Sequence, residues 1–435
     1  MSFKTLGCKV NQYETGTLRQ SFIKNGYEVV EFDKDAEIYI INTCSVTREA
    51  ERKSKQMIRK AARLNPRATI VVTGCAVQSN LLEIKEYKNI SLIVGNRDKE
   101  KIFDIINQIP LSEEEPHIFS SSPEKINGYI ESKCISSSSR IRKMVKIQDG
   151  CDQFCSYCII PYLRGRARSR PIEQILSEID YLANRNCKEV ILLGINLGSY
   201  GSDLKGNRVN LADIIRRIDS ISNIKRIRLS SIELPYIDES LIKAFRCYPK
   251  LCHHLHIPLQ SGDNRILHLM NRKYTSEQYS ETINLLKRDI PDIAITTDII
   301  AGFPGEDEAA FQNTLNLAKK MGISKMHIFP YSKRRFSLAS FLPDTIDEKV
   351  IKNRSEQLIN LSNELRRDYI FQNLGKEKHI LIEFLGKEKN GSFAYGLTDN
   401  YIKVCVNDVN YEKGQMVKVR IIKVNDSYAV GEAIN

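Results

Sequence analysis

The chain contains no apolar run approaching the ~20 residues of a membrane span. It opens Met1-Ser2-Phe3-Lys4-Thr5-Leu6-Gly7-Cys8, without the apolar stretch expected of a secretory signal. No internal repeat and no Ser-His-Asp constellation is evident. These absences exclude a membrane protein and argue against a secreted disulfide scaffold. The cysteines number eleven, an odd count. In a large chain without a leader, that predicts a reducing, cytoplasmic setting, where clustered thiols bind metal or do redox work. Of the 435 residues, 42% are hydrophobic and 27% charged, which excludes a disordered chain. The length suggests about three domains, each able to bury a core.

Patterning divides the chain into three regions and a linker. Across residues 1–111, apolar runs at Phe3–Leu6, Glu37–Asn42 and Thr69–Thr73 alternate with helical patterns at Gln12–Asn25 and Arg48–Leu64. That alternation predicts an open parallel α/β sheet. Residues 112–139 have linker composition, with Glu113-Glu114-Glu115 and the serine clusters Ser120–Ser122 and Ser136–Ser139. Residues 140–369 carry six strand candidates: Val145–Gln148, Glu189–Leu193, Lys225–Leu229, His254–Ile257, Ala294–Ile300 and Lys325–Phe329. Helical patterns such as Ile172–Arg185 and Asp307–Lys320 fall between them, so a partial (β/α)6 barrel is expected. Residues 370–435 switch to period two at Ile380–Leu385, Ser392–Leu397, Tyr401–Val406, Met416–Val424 and Tyr428–Ala433, with a turn signal at Asn390-Gly391. Five short strands predict a small all-β, OB-like barrel.

Most of the formal charge of +12 falls in residues 140–369. Arg140, Arg142, Lys143 and Lys146 precede a cysteine cluster, and Arg164, Arg166, Arg168 and Arg170 follow it. Such packing favours a polyanionic partner, the plain alternative being a solvated basic rim. The cluster is Cys151-Asp152-Gln153-Phe154-Cys155-Ser156-Tyr157-Cys158, a C-x3-C-x2-C pattern. Three thiolates on one short loop can hold three irons of a [4Fe–4S] cube and leave the fourth iron open to a ligand. A structural zinc wants a fourth protein ligand, and the nearest downstream histidine is the distant His253. A redox C-x-x-C at Cys155 and Cys158 leaves Cys151 idle. A second set is dispersed: Cys8, Cys44 and Cys75 each sit just past a strand candidate. In an open parallel sheet those strand ends share one edge, so the three can meet and hold a second cluster. Three unrelated half-buried thiols are the alternative.

The cysteine loop, with Tyr157 before its last cysteine, resembles the signature of radical S-adenosylmethionine (SAM) enzymes. In that family the open iron binds SAM, and electron transfer cleaves the sulfonium to a 5′-deoxyadenosyl radical. The resemblance implies SAM contacts at Gly194 and Asn196 in Gly194-Ile195-Asn196-Leu197-Gly198, at Gln260 and Ser261 after Pro258-Leu259, and at Asp298 and Gly302 in Asp298-Ile299-Ile300-Ala301-Gly302. Leu6-Gly7-Cys8-Lys9-Val10-Asn11-Gln12, Asn42-Thr43-Cys44-Ser45 and Thr73-Gly74-Cys75-Ala76 resemble the N-terminal domain of radical SAM methylthiotransferases, and the terminal barrel resembles the TRAM domain. The family's branches modify isopentenylated adenosine in tRNA, threonylcarbamoyladenosine in tRNA, or an aspartate of a ribosomal protein. Gly7–Thr15, Leu197–Gly201 and Phe329-Pro330-Tyr331-Ser332 are most similar to the threonylcarbamoyladenosine branch. Arg335-Phe336-Ser337-Leu338-Ala339 departs from the family's Gly-Thr-Pro-like turn.

The resemblance implies two [4Fe–4S] clusters, on Cys151, Cys155 and Cys158 and on Cys8, Cys44 and Cys75. One SAM methylates sulfur held at the auxiliary cluster. A second yields the radical that takes hydrogen from C2 of adenosine-37. The implied partners are a tRNA anticodon loop with its target base flipped out, an electron donor protein and a sulfur source, with no membrane. Lys387, Lys389, Lys403 and Tyr395 are candidate RNA contacts on the terminal barrel. A cluster-bearing RNA-binding or sulfur-carrier module is the non-enzymatic alternative. Cys134, Cys187, Cys247, Cys252 and Cys405 read as incidental thiols, and His253, His254 and His256 as packing residues.

Overall fold

Ile38-Tyr39-Ile40-Ile41 and Ile70-Val71-Val72 are apolar without alternation, the pattern of strands covered on both faces. In the computed structural model they lie inside a five-stranded parallel sheet, ordered β1 (Ser2–Thr5), β2 (Ile38–Thr43), β3 (Thr69–Gly74), β4 (Ile90–Val94) and β5 (His117–Phe119). The structure describes residues 1–109, 115–122, 128–132, 134–135, 140–204, 209–388, 391–407 and 410–434. Helices α1 (Lys9–Lys24), α2 (Arg48–Leu64) and α3 (Cys75–Ser79) follow β1, β2 and β3. Thr47 caps α2 by accepting from the Ala50 amide.

Two strands of this sheet go beyond the sequence expectation. β4 was not among the anticipated strands, and β5 falls inside the stretch read as linker. A three-residue strand carries no signal of its own; His117–Phe119 is extended because Leu92–Val94 offers it a parallel edge. The N-terminal unit therefore runs past residue 111 to at least Phe119. Glu113, Glu114 and Ser136–Ser139 lie outside the described residues.

The central region contains β6 (Lys143–Lys146), a short antiparallel pair β7 (Gln148–Asp149) and β8 (Arg168–Ser169), then β9 (Glu189–Leu193), β10 (Arg226–Leu229), β11 (His254–His256), β12 (Ala294–Ala301) and β13 (Lys325–Pro330). β6, β9 and β10 form one parallel sheet and β11, β12 and β13 another. A bridge from Ile227 to Leu251 joins them, so six strands run in sequence order around a partial barrel. Helices cover its outside, and one apolar core, from Val145 to Leu365, fills the space between.

The 24-residue helix Glu348–Phe371 leads to a closed barrel of β14 (Glu377–Glu388), β15 (Gly391–Leu397), β16 (Lys403–Asn407), β17 (Met416–Val424) and β18 (Ala429–Ala433). β14 and β15 form the expected antiparallel pair; Lys389 and Asn390, at its turn, lie outside the described residues. The barrel docks through backbone acceptors: Arg226 donates to the Leu397 and His379 carbonyls, and Arg228 to those of Thr398 and Asp399. Tyr401 stacks on His254 with ring centroids 4.4 Å apart, a packing role for that histidine. No helix among the described residues is long and apolar enough to cross a membrane.

Candidate active site

The cysteine loop is held from both sides. Gly150, at φ +71°, lies so close to the Arg166 carbonyl that a Cβ would stand 1.9 Å from its oxygen, so only glycine lets the chain enter the loop here. Gln148 donates to the Gly150 carbonyl at 2.8 Å and accepts from the Asn196 amide at 2.9 Å, tying the loop to the segment after β9. Asn271 donates to the Phe154 carbonyl at 2.8 Å, and the Ser156 amide to that of Met270 at 3.0 Å. Arg272, buried, donates to Cys155 Sγ at 3.3 Å and pairs with Glu233. Burial pushes the Cys151 thiol up to about 12 and raises Cys158 as well, with Cys155 adding to both. The three thiols thus share one low-dielectric pocket.

The second set also converges. Gly7 sits against Cys44, 2.7 Å from its Sγ measured from an added Cβ. Burial raises the thiols of Cys8 and Cys44, the latter to about 12, and Cys75 adds to both. Cys8 is open to water yet enclosed by protein, so it faces a concavity rather than the outer surface. Cys75 packs in one buried apolar group with Ile159 and Leu163, the residues just beyond the other triplet. Asn96 donates to the Leu163 carbonyl at 3.1 Å with Cys75 Sγ 3.9 Å away. The two cysteine sets are therefore one layer of side chains apart.

A cavity of about 190 Å³ lies beside Cys158 and Ile159. Val46 and Thr47 wall it from the N-terminal side. Tyr157, Cys158, Gln260, Asp298, Phe329 and Tyr331 wall it from the partial barrel. Of the residues expected around SAM, Tyr157, Gln260 and Asp298 line this cavity. Asn196 is buried with both side-chain polar atoms unpartnered, and the Tyr331 hydroxyl is unpartnered as well. Buried polar groups left this way want a hydrogen-bonding ligand. Gly194 backs onto the Gln148 amide. Gly194 and Asn196 do not line the cavity, and neither do two others: Ser261 bonds Thr314 in the surrounding helix, and Gly302 packs on Ile351. Both support the turns that carry Gln260 and Asp298.

The basic flank of the loop differs from both sequence readings. Of the arginines after the loop, Arg164, Arg168 and Arg170 are buried and Arg166 is exposed; before the loop, Arg140 is exposed and Lys146 buried. Arg164 donates to Glu14 at 2.9 Å, Asp149 at 3.1 Å and Asn11 at 2.7 Å. Lys146 and Lys99 also pair with Glu14, at 3.0 and 2.5 Å. Arg170 pairs with Glu178 and Glu131. The contacts of Arg164 and Lys146 with Glu14 and Asn11 fasten the N-terminal domain to the partial barrel. The unusual Arg335–Ala339 loop is also fixed: the Ala339 amide donates to the Ser156 carbonyl at 2.7 Å. Arg272, Glu233 and Gln148 carried no local signal, because their partners are remote in sequence.

Among the described residues no three His, Cys, Asp or Glu side chains converge tightly enough for a single metal ion. A four-iron cube asks for something else, one thiolate on each of three separate irons. Three mutually influencing thiols in a shared pocket, with unpartnered amide and phenol groups beside them, fit that demand.

Three family models match the chain in order: the uncharacterized protein family UPF0004 at residues 1–95, the radical SAM superfamily at 145–318 and the TRAM domain at 372–434. A solved radical SAM methyltransferase, TsrM from Kitasatospora setae, superposes with TM-score 0.54 at 12% identity, over 75% of this chain and 72% of that one. That likeness is one of fold. Among sequences, the threonylcarbamoyladenosine tRNA methylthiotransferase MtaB of Bacillus subtilis is 40% identical over 100% of this chain and 96% of its own. MtaB of Aquifex aeolicus is 39% identical, over 97% of this chain and 100% of its own. The tRNA-2-methylthio-N(6)-dimethylallyladenosine synthase of Thermoanaerobacter sp. is 36% identical, over 99% and 92%. The radical SAM match implies a [4Fe–4S] cluster and SAM, and the TRAM match an RNA partner. With full-length identity to such relatives and all three domains in their order, this chain belongs to the radical SAM tRNA methylthiotransferases.

Proposed function

We propose that this protein adds a methylthio group to C2 of N6-threonylcarbamoyladenosine at position 37 of tRNA. The observation that supports the reading is that Cys75 of one set packs with Ile159 and Leu163, just beyond the other set, beside a cavity lined by Cys158, Val46 and Thr47. Cys151, Cys155 and Cys158 would hold the radical-generating cluster, and Cys8, Cys44 and Cys75 an auxiliary cluster. When bound, the clusters and SAM supply a carbon-centred radical, the methyl group and the transferred sulfur. An aryl C–H is too weak an acid for a side-chain base, so radical chemistry suits the substrate.

The chain's own residues prepare the site. Gln148 and Gly150 set the loop, and Arg272 holds a positive charge on Cys155. Val46, Ile159, Ile300 and Phe329 make the cavity wall mostly apolar, which keeps water from a reactive radical. Asn196, Tyr331, Gln260 and Asp298 offer polar contacts to SAM. The electron donor and the sulfur source are separate partners. Two oxygen-labile clusters suit a reducing compartment, so the reading includes the cytoplasm.

A second reading has support in the 36%-identical dimethylallyladenosine synthase and in the apolar cavity wall. Mass spectrometry of tRNA nucleosides from a strain lacking the gene tests both. Loss of methylthio-threonylcarbamoyladenosine is expected. Its persistence with loss of the isopentenyl product selects the second reading. Unchanged tRNA with an unmodified ribosomal-protein aspartate overturns both.

A further inference from the structure

Below the cavity the partial barrel is hollow. Along β13, His327 and Phe329 point to the same side, as alternate strand residues do, and both are exposed. Phe329 lines the cavity, so His327 extends its wall inward. The His327 ring lies 5.7 Å from that of His256, whose Nε2 is 3.2 Å from Asp298 Oδ1, and Asp298 lines the cavity too. The hollow and the cavity therefore share walls.

Lys9 enters this hollow from the N-terminal domain, one residue after Cys8. It is open to water but enclosed by protein. Its charged neighbours are Tyr401, Arg142, Arg228 and Arg140, and its charge also reaches His254 and His327. These come from β10, β11, β13, the segment leading to β6 and the terminal barrel, so they surround the lysine. Arg142 is committed to Glu383, and Arg228 to Glu189. Lys9 makes no hydrogen bond or ion pair among the described residues. Burial alone would push the Tyr401 phenol up, yet the field of Lys9, Arg142, Arg228 and Lys325 brings it below its usual range. Lys9 thus brings to the hollow a positive charge that no described carboxylate pairs with.

We propose that Lys9 receives the carboxylate of the substituted adenosine and is a specificity-determining residue. This rests on the proposed function: a threonylcarbamoyl group ends in a carboxylate, whereas an isopentenyl group carries no charge. A site that offers an otherwise unpaired cation favours a carboxylate over a neutral analogue, because the analogue leaves that cation without an ion pair. The position beside Cys8 puts the anchor next to the sulfur-bearing side of the cavity.

The test compares two anticodon stem-loop RNAs with the iron-loaded enzyme, one carrying threonylcarbamoyladenosine and one its primary-amide analogue. The wild-type enzyme is expected to favour the carboxylate RNA by about 10- to 100-fold in kcat/KM. Lys9→Met should raise KM for the carboxylate RNA by that factor, leave the amide RNA unaffected and keep its iron; Lys9→Arg should retain the preference. Equal use of both RNAs by the wild type overturns the inference but not the proposed function, and so does a preference that survives in iron-loaded K9M. A wild-type enzyme that modifies neither RNA, but does modify an isopentenyladenosine RNA, overturns the proposed function and this inference with it.

Discussion

Arg272 is buried, and its guanidinium is divided between the Glu233 carboxylate and Cys155 Sγ. A hydrogen bond to a cluster-ligating sulfur stabilises the added electron, so it raises the reduction potential. Arg272→Gln should therefore lower the potential of the cluster proposed for this loop, read by redox titration with electron paramagnetic resonance; an unchanged potential contradicts the contact. On the proposed assignment the cysteines divide by task at the same scale. Cys155→Ala should abolish SAM cleavage. Cys44→Ala should leave cleavage intact and stop thiomethylation. Chromatography of 5′-deoxyadenosine and mass spectrometry of the RNA separate the two, and cleavage retained in the Cys155 variant counts against the assignment of that loop.

At the scale of elements, the terminal barrel presents an aromatic face. Phe384 is half exposed and lies 6.1 Å from Phe393 and 6.4 Å from Tyr395. The Lys403 ammonium sits 3.7 Å from the Tyr395 ring centroid, so two of the sequence candidates form one surface. Bases stack on such faces at about 1–3 kcal/mol each. Phe384→Ala should weaken tRNA binding about 5- to 100-fold with little change in its salt dependence, measured by fluorescence anisotropy. An unaltered affinity would move the RNA contact elsewhere. Period two made this barrel legible residue by residue: Met416–Val424 is a strand as expected, and the other four shift only at their ends. Three-residue β5 was not legible, because its extension comes from the edge of β4 rather than from its own side chains.

Across the whole molecule, one buried ionic network joins the N-terminal sheet to the partial barrel. Glu14 faces Arg164, Lys146 and Lys99, and Asp149 faces Arg164 and Lys146. Glu14→Gln leaves buried cations unmatched and should cost about 3–5 kcal/mol, seen as a lower denaturation midpoint. Despite the upward push of burial, the cations hold both carboxylates well below their usual range. The folded protein then binds fewer protons than the unfolded chain. The contribution is complete at neutral pH and is lost as pH falls below the ordinary carboxylate range, near 4.5 for Glu14. Acid titration of the midpoint checks the sign.

The cysteine spacing marked the loop of Cys151, Cys155 and Cys158, and the strand ends marked the places of Cys8, Cys44 and Cys75. They gave no hint that Arg164, Arg168 and Arg170 turn inward, because burial depends on a domain placed across from them.

If Cys151, Cys155 and Cys158 hold one four-iron cluster and Cys8, Cys44 and Cys75 a second, as proposed, a metal count reads both. Protein purified without oxygen should contain about eight irons per chain, with matching acid-labile sulfide. Replacing Cys8, Cys44 and Cys75 together by alanine should leave about four irons. A native count of about four, or zinc in place of iron, would contradict the account.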